Sequence, residues 1–262
     1  MRLPFYKYQA TGNDFVIINQ QLIPYLQEPS EELVAKLCHR KFGIGADGLM
    51  ILEKSNRSDF KMIYYNSDGR TSTMCGNGGR AIVHLAYSLG LFKERCTFEA
   101  VDGLHDAEVK TGNIISLKMG NVSKIREHES DFVLDTGSPH YVRLQSEVMS
   151  TDIMPLAKEI RYGAPFAEEG INVNFIQQHE DHLDVRTYER GVEDETLSCG
   201  TGVTAAALVA SREIEDFRDR SEINIVTKGG KLKVRFKKSP VGFEDIWLIG
   251  EAQKVFEGNI EL

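Results

Sequence analysis

The chain writes the same cysteine-led helix start twice. "MCGNGGRAIVHLAYS" begins at Met74 and "SCGTGVTAAALVASR" at Ser198, so Cys75 and Cys199 stand 124 positions apart. Two further landmarks repeat in the same order. "ATGNDFVII" at 10–18 answers "DTGSPHYVR" at 135–143, and "YYNSDG" at 64–69 answers "TYERG" at 187–191, at offsets of 125 and 123. Any one match is easily chance, but three in order at near-constant offset mark an internal duplication. A chain of 262 residues built this way is expected to fold as two similar domains.

The signals within each half follow one plan. Extended apolar segments fall at 15–18 and 141–144, and a strand precedes each cysteine loop, "FKMIYY" before the first and "LDVRTY" before the second. In the latter Leu183, Val185 and Thr187 alternate with Asp184, Arg186 and Tyr188. Gly112–Asn113 is a hairpin signal, and "KLKVRFK" is a strand with Leu232, Val234 and Phe236 on one face. After Cys75, Ile82, Leu85, Ala86 and Leu89 recur at helical spacing; after Cys199, Val203, Ala207, Ala210, Ile214 and Phe217 do so. Small residues at each helix start let it sit deep among strands. The expected class is α+β: two pseudo-symmetric domains, each a mostly antiparallel, barrel-like sheet around a central helix with a cysteine at its N-terminal tip. The apolar pattern breaks near 120–126.

Composition narrows the function. The net charge is −8 with no basic block, which argues against a nucleic-acid partner. No stretch has the length of a signal-peptide core or of a membrane span, so a cytoplasmic protein with no membrane partner is expected. None of Cys38, Cys75, Cys96 and Cys199 sits in a C-x-x-C pair, and no histidine stands at zinc-ligand spacing from them, so no metal is expected. Cys38 and Cys96 read as small buried hydrophobes.

A helix N-terminus presents unpaired N–H groups and a partial positive charge, which bind an anion and acidify a nearby thiol. Gly76, Gly78, Gly200 and Gly202 admit close backbone approach to a ligand. "GNGGR" lacks the lysine of a phosphate loop, and 43–48 reads as a tight turn. Two thiols on pseudo-symmetric tips suit a reaction that removes a proton from one face of a carbon and returns one to the other. The tips would hold a carboxylate and stabilise the charge that develops when its α-proton leaves. A thiol redox protein and a noncatalytic amino-acid binder are the readings from other classes.

The ordered set "GNDF" (12–15), "GIGADGL" (43–49), "YNSDG…MCGNGGR" (65–80), "TGSPH" (136–140), "INVNF" (171–175), "YERG…SCGTG" (188–202) and "GEAQKVFEGNI" (250–260) resembles the diaminopimelate epimerase family over nearly the whole chain. The resemblance implies a cofactor-independent epimerase that interconverts LL- and meso-2,6-diaminopimelate in lysine and peptidoglycan-precursor synthesis. It implies a first domain of 1–121 completed by a C-terminal strand within 250–262, a second domain of 122–249, and an active site in the cleft between them. Cys75 and Cys199 match the family's catalytic pair, and His140 and Glu189 the polar residues beside it. Asn13, Asn66, Asn172, Glu189 and Arg190 match substrate contacts; Gly76, Asn77, Gly200 and Thr201 match the helix tips that cradle the reacting carboxylate. Arg190 suits a two-bond grip on a distal carboxylate. The small-molecule substrate is the expected partner, with a homodimer as the candidate assembly. Ser138, in place of the family's common asparagine, Gly48, and a longer stretch from Glu189 to Cys199 depart from the pattern. Proline and hydroxyproline racemases are the alternative within the enzyme class.

Overall fold

The computed structural model describes residues 2–262. The chain divides into two compact units, one of residues up to Leu117 together with Gly250–Leu262, the other of Lys118–Ile249. Residues 119 and 122 belong to the second unit because Met119 N–H donates to Ile246 O, and Val122 pairs with Phe243 in both directions.

The first unit runs β1 (Arg2–Ala10), β2 (Asn13–Asn19), α1 (Glu31–Cys38), β3 (Gly48–Glu53), β4 (Phe60–Asn66), α2 (Gly76–Ser88), β5 (Arg95–Ala100), β6 (Gly103–Thr111) and β7 (Ile114–Lys118). The second runs β8 (Ile125–His128), β9 (Asp131–Asp135), β10 (Pro139–Leu144), α3 (Ile153–Tyr162), β11 (Asn172–Gln178), β12 (His182–Glu189), β13 (Asp194–Thr196), α4 (Gly200–Glu213), β14 (Glu222–Thr227), β15 (Gly230–Ser239) and β16 (Gly242–Glu251). The closing strand β17 (Gln253–Glu261) lies antiparallel to β1, back in the first unit.

Strand pairing reproduces the duplication. In the first unit β1–β2 is antiparallel, β2–β3 parallel, β3–β4 antiparallel, β4–β5 parallel and β5–β6 antiparallel. In the second, β9–β10, β10–β11, β11–β12, β12–β14 and β14–β15 repeat that series of senses. The register agrees at single residues: Leu49 lies opposite Tyr65, and Val173 opposite Tyr188. Gly112, at φ 55°, turns β6 into β7 where the hairpin signal falls.

Each sheet wraps a central helix. α2 packs on β1, β2, β3, β6 and β17, and α4 on β9 to β12, β14 and β15. Both are buried all round near their starts, 76–83 and 202–211, which is the mark of an enclosed helix. Their Gly and Ala content keeps the helix thin enough for strands to approach. The outer faces carry the second helix of each unit. α1 closes a cluster with Phe5, Val16, Ile18, Leu49 and Tyr65, and α3 one with Tyr141, Val173, Phe175 and Tyr188.

One sequence expectation stands with a qualification and one needs correction. The alternating segment is the strand β12, but 183–188 is buried throughout, because α4 covers one face and the α3 cluster the other. Arg186 is admitted by a paired hydrogen bond to Glu195, through Nε at 2.6 Å and Nη2 at 2.7 Å. The helical stripes also overrun their helices. Leu89 caps α2 and is exposed, while Ile214 ends α4 and Phe217 is buried in a short 3-10 turn, Glu215–Phe217.

Candidate active site

The four α-helices of the described residues divide by how they start. Ser30 caps α1 by accepting from Leu33 N–H at 3.2 Å, and Asp152 caps α3 by accepting from Met154 N–H at 3.2 Å. α2 and α4 instead have Cys75 and Cys199 at the N-cap, in extended backbone, with no side-chain cap bond. In these two helices the residue at the N-cap thus carries a thiol in place of a capping oxygen, at the end of the helix that attracts an anion. The first unit brings Cys75, Gly76, Asn77 and Asn13 together. Cys75 Sγ donates to Asn13 Oδ1 at 3.7 Å, and Asn77 Nδ2 donates to the same oxygen at 3.5 Å. Asn13 is held from behind, since its Nδ2 donates to Asp47 Oδ2 at 2.6 Å. Lys7 and Arg40 bind Asp14, and Arg40 also binds Asp47, so two cations and two carboxylates offset one another.

Arg80 lies beneath this tip, wholly buried. Its Nη1 donates to Gly76 O at 3.2 Å, and its Nη2 to Thr11 Oγ1 and Asn77 Oδ1, both at 3.0 Å. Nε has no partner, and among the described residues no carboxylate forms an ion pair with the guanidinium. Burial draws its pKa down to about 10, and the field of Cys75 opposes that fall. Sequence reasoning passed over Arg80, weighing "GNGGR" only for a phosphate-binding lysine.

The second unit brings Cys199, Gly200 and Thr201 together at the start of α4, with Cys199 Sγ 3.5 Å from Thr201 Oγ1. The supports repeat those of the first unit: Thr136 Oγ1 donates to Thr201 O at 2.9 Å, as Thr11 Oγ1 donates to Asn77 Oδ1 at 3.3 Å. Where α2 has Arg80 bonded to Gly76 O, α4 has Thr204, whose hydroxyl donates to Gly200 O at 2.9 Å. His140, fully buried, accepts from Asn174 Nδ2 at Nδ1, 3.0 Å. Asn174 is fixed in that orientation because its Nδ2 also donates to Tyr141 O and its Oδ1 accepts from Thr187. The neutral imidazole therefore carries its proton on Nε2, which has no partner within the described residues. Burial, aided by the positive field of Arg190, pushes the His140 pKa down to about 3, so the ring stays uncharged near neutrality. Burial raises the Glu189 carboxyl above its ordinary value, with Thr196 offsetting part of the rise.

The remaining expected residues are placed unevenly. Asn172 is a strut: its Nδ2 donates to Ser138 Oγ at 2.8 Å and Pro139 O at 3.0 Å, and its Oδ1 accepts from Arg190 N–H at 2.9 Å. Ser138 thus receives one of these bonds. Arg190 is exposed, with Nη1 held on Glu169 O at 2.9 Å. Asn66 is exposed at the end of β4 and accepts Gly69 N–H through its backbone, which is turn chemistry. Gly48 sits against the Tyr64 ring, where a Cβ would come within 2.5 Å. Cys38 and Cys96 are buried, and desolvation pushes each thiol up to about 12, leaving both inert near neutral pH. Asp47 and Asn174 were missed because each acts through a neighbour; Asn174 is two residues beyond Asn172 on the same strand face, which is the signal that could have found it.

The chain matches the sequence profile described as diaminopimelate epimerase over residues 5–125 and 132–255. It is 46% identical to a diaminopimelate epimerase of Flavobacterium psychrophilum over 259 residues, covering 98% of this chain and 100% of that one. It is 37% identical to one of Archaeoglobus fulgidus over 283 residues, covering 100% of this chain and 98% of that one. Among solved structures, a phenazine biosynthesis protein of the PhzF family from Bacillus anthracis superposes with a TM-score of 0.77 at 14% identity, covering 100% of both chains. A probable proline racemase from Agrobacterium radiobacter gives 0.70 at 13% identity, covering 99% of this chain and 93% of that one. At these identities the two structures support the fold alone.

Proposed function

The chain belongs to the diaminopimelate epimerase family, and we propose that it interconverts LL- and meso-2,6-diaminopimelate by passing the α-proton between two thiols without a cofactor. It is an amino-acid isomerase of lysine biosynthesis. The observation that supports this reading best is the pair of buried helices that each begin on an N-cap cysteine making no side-chain cap bond, set against two helices capped by Ser30 and Asp152. One thiolate would take the α-proton while the other thiol delivers its own to the opposite face, with the roles exchanged in the reverse direction. The helix N-termini would hold the reacting carboxylate and stabilise the charge that develops beside it. His140 and Glu189 would set the protonation of the thiols, and Asn13, Asn66, Asn77, Asn172, Thr201 and Arg190 would orient the substrate.

The test is incubation with LL-diaminopimelate in heavy water, reading product stereochemistry and α-deuterium together. Conversion to the meso form with solvent label is expected, and Cys75→Ala and Cys199→Ala should each abolish it. A single mutant keeping more than a few per cent of turnover would rule out the two-thiol relay. Arg190→Lys replaces a planar fork with a point charge, and kcat/KM for diaminopimelate should fall by ~10–100-fold. Proline as a substrate at comparable kcat/KM would favour the racemase reading. Homodimer formation and cytoplasmic residence belong to the same proposal. Sedimentation equilibrium reads the first. Among the described residues no helix is long and apolar enough to cross a membrane.

A further inference from the structure

The tip of the β11–β12 hairpin carries chemistry that the thiol site does not use. The sequence there is "HEDHLD", 179–184, and the turn closes with His179 N–H donating to His182 O at 2.9 Å. His179, His182 and Asp184 each offer one ligand atom, all within 4.8 Å of one another. His179 Nε2 is 2.9 Å from Asp184 Oδ2, and His182 Nε2 is 3.5 Å from Asp184 Oδ1. The two imidazoles stack, with centroids 4.5 Å apart and planes within 10°.

We propose that His179, His182 and Asp184 form a binding site for a divalent transition-metal cation, with zinc the first choice. Two observations carry this. The first is proximity: one donor atom from each of the three side chains lies within 4.8 Å of the others. Metal–nitrogen and metal–oxygen bonds of about 2.0–2.2 Å at tetrahedral angles put neighbouring donors roughly 3.3–3.5 Å apart, so the donors close by up to roughly 1.5 Å and the two rings turn out of their stack to reach one ion. The second is the Asp181 contact: its Oδ1 lies 2.7 Å from His182 Nδ1, a carboxylate behind a histidine, which fixes the tautomer and sharpens the donor in metal sites.

The donor set selects the ion. Two imidazoles and one carboxylate suit zinc, nickel, cobalt or copper, whereas calcium and magnesium take oxygen ligands. Asp184 is buried and the two histidines are half-buried, so the remaining coordination position opens to water. Binding displaces the proton that His179 Nε2 shares with Asp184, moving it to Nδ1 or to solvent. The cation would pin the end of the same two strands that carry Asn172, Asn174 and Glu189 further along, so its role is to hold their register.

Thiols also bind zinc, so the experiment uses the full-length chain carrying Cys75→Ala and Cys199→Ala. Cobalt(II) titration followed by visible absorbance, with zinc as competitor, should show one saturable equivalent and a rise in Tm on adding zinc. His179→Gln and His182→Gln should each remove both signals, and Asp181→Asn should weaken binding by roughly tenfold. As a readout independent of how the variants fold, zinc should shift the ring resonances of His179 and His182 in the thiol-free parent. Absence of a saturable equivalent, equal binding in both histidine variants, or ring resonances that do not move would each overturn the site and leave a plain histidine–aspartate pair.

Discussion

Arg80 carries a full charge into the interior of the first unit and meets only neutral acceptors there, Gly76 O, Thr11 Oγ1 and Asn77 Oδ1. An unpaired buried charge costs several kcal/mol, and an anion at Cys75 reduces that cost. The same interaction must then favour the Cys75 thiolate. Arg80→Met should raise the Cys75 pKa by about one unit or more, and Arg80→Lys by less. The pH dependence of iodoacetamide labelling at Cys75, read by peptide mass spectrometry, measures it. An unmoved pKa in a folded variant would make Arg80 a strut alone. His140 makes a second prediction. Its folded pKa of about 3 lies below the ordinary 6.5, so as pH falls below 6.5 the unfolded chain takes up a proton that the folded chain refuses. Stability should therefore fall with acidification across that window, by up to ~1.4 kcal/mol per pH unit. His140→Gln should narrow the difference between urea midpoints at about pH 7 and about pH 5. Asp14, held below its ordinary value by Arg40 and Lys7, adds acid sensitivity only as pH falls below 3.8.

At the scale of elements, the two central helices share a plan but not a tolerance. A Cβ at Gly202 would come within 2.4 Å of Asn174 Oδ1 and 3.1 Å of Thr187 Oγ1, the pair that orients His140. A Cβ at Gly78 would meet flexible atoms, with Met50 Sδ nearest at 3.3 Å. Gly202→Ala should therefore destabilise by about 1–3 kcal/mol and lower kcat, while Gly78→Ala should be close to neutral, since the helix propensity gain offsets a small shift of Met50. Urea unfolding and steady-state kinetics on both variants decide it; equal effects would mean the helix starts are interchangeable. This asymmetry marks how far the sequence could be read. The repeated cysteine, glycine and tyrosine landmarks reported the duplication because they are local and ordered. Arg80 and Asn174 were invisible because their value comes from what they meet in the fold, the α2 tip and the turn after β1 for one and β10 for the other. The alternation in β12 reported the strand but not its burial, for a related reason. Period two reports a change of face, and in a strand covered on both sides a change of face is not a change from core to water.

At the scale of the whole chain, the second unit is one continuous segment while the first waits for its last strand. β17 pairs with β1 from Arg2↔Glu261 to Gln9↔Gln253, and α2 packs against it. Little of its stabilisation comes from apolar area, since most of β17 is exposed; what it supplies is the hydrogen-bond ladder along β1 and a lid on Phe5. Phe256 meets the Phe5 ring edge to face at 5.9 Å, and Gly258 leaves room for that ring, since a Cβ there would lie 3.0 Å from it. A chain ending at Ala252 would keep β16 and lose all of this. β1 would become a bare edge whose N–H and C=O groups lack partners on one side, with Leu3 and Phe5 opened to water. Hydrogen exchange by mass spectrometry should then show β1, β2 and α2 exchanging far faster in the truncated chain. Peptides from β10, β11 and α4, whose partners all lie within 118–249, should keep their protection. Retained protection in β1 and α2 would mean the first unit is complete without its C-terminal strand. Loss across both units would mean that they unfold as one, and the chain would then be a single cooperative structure despite having been written twice.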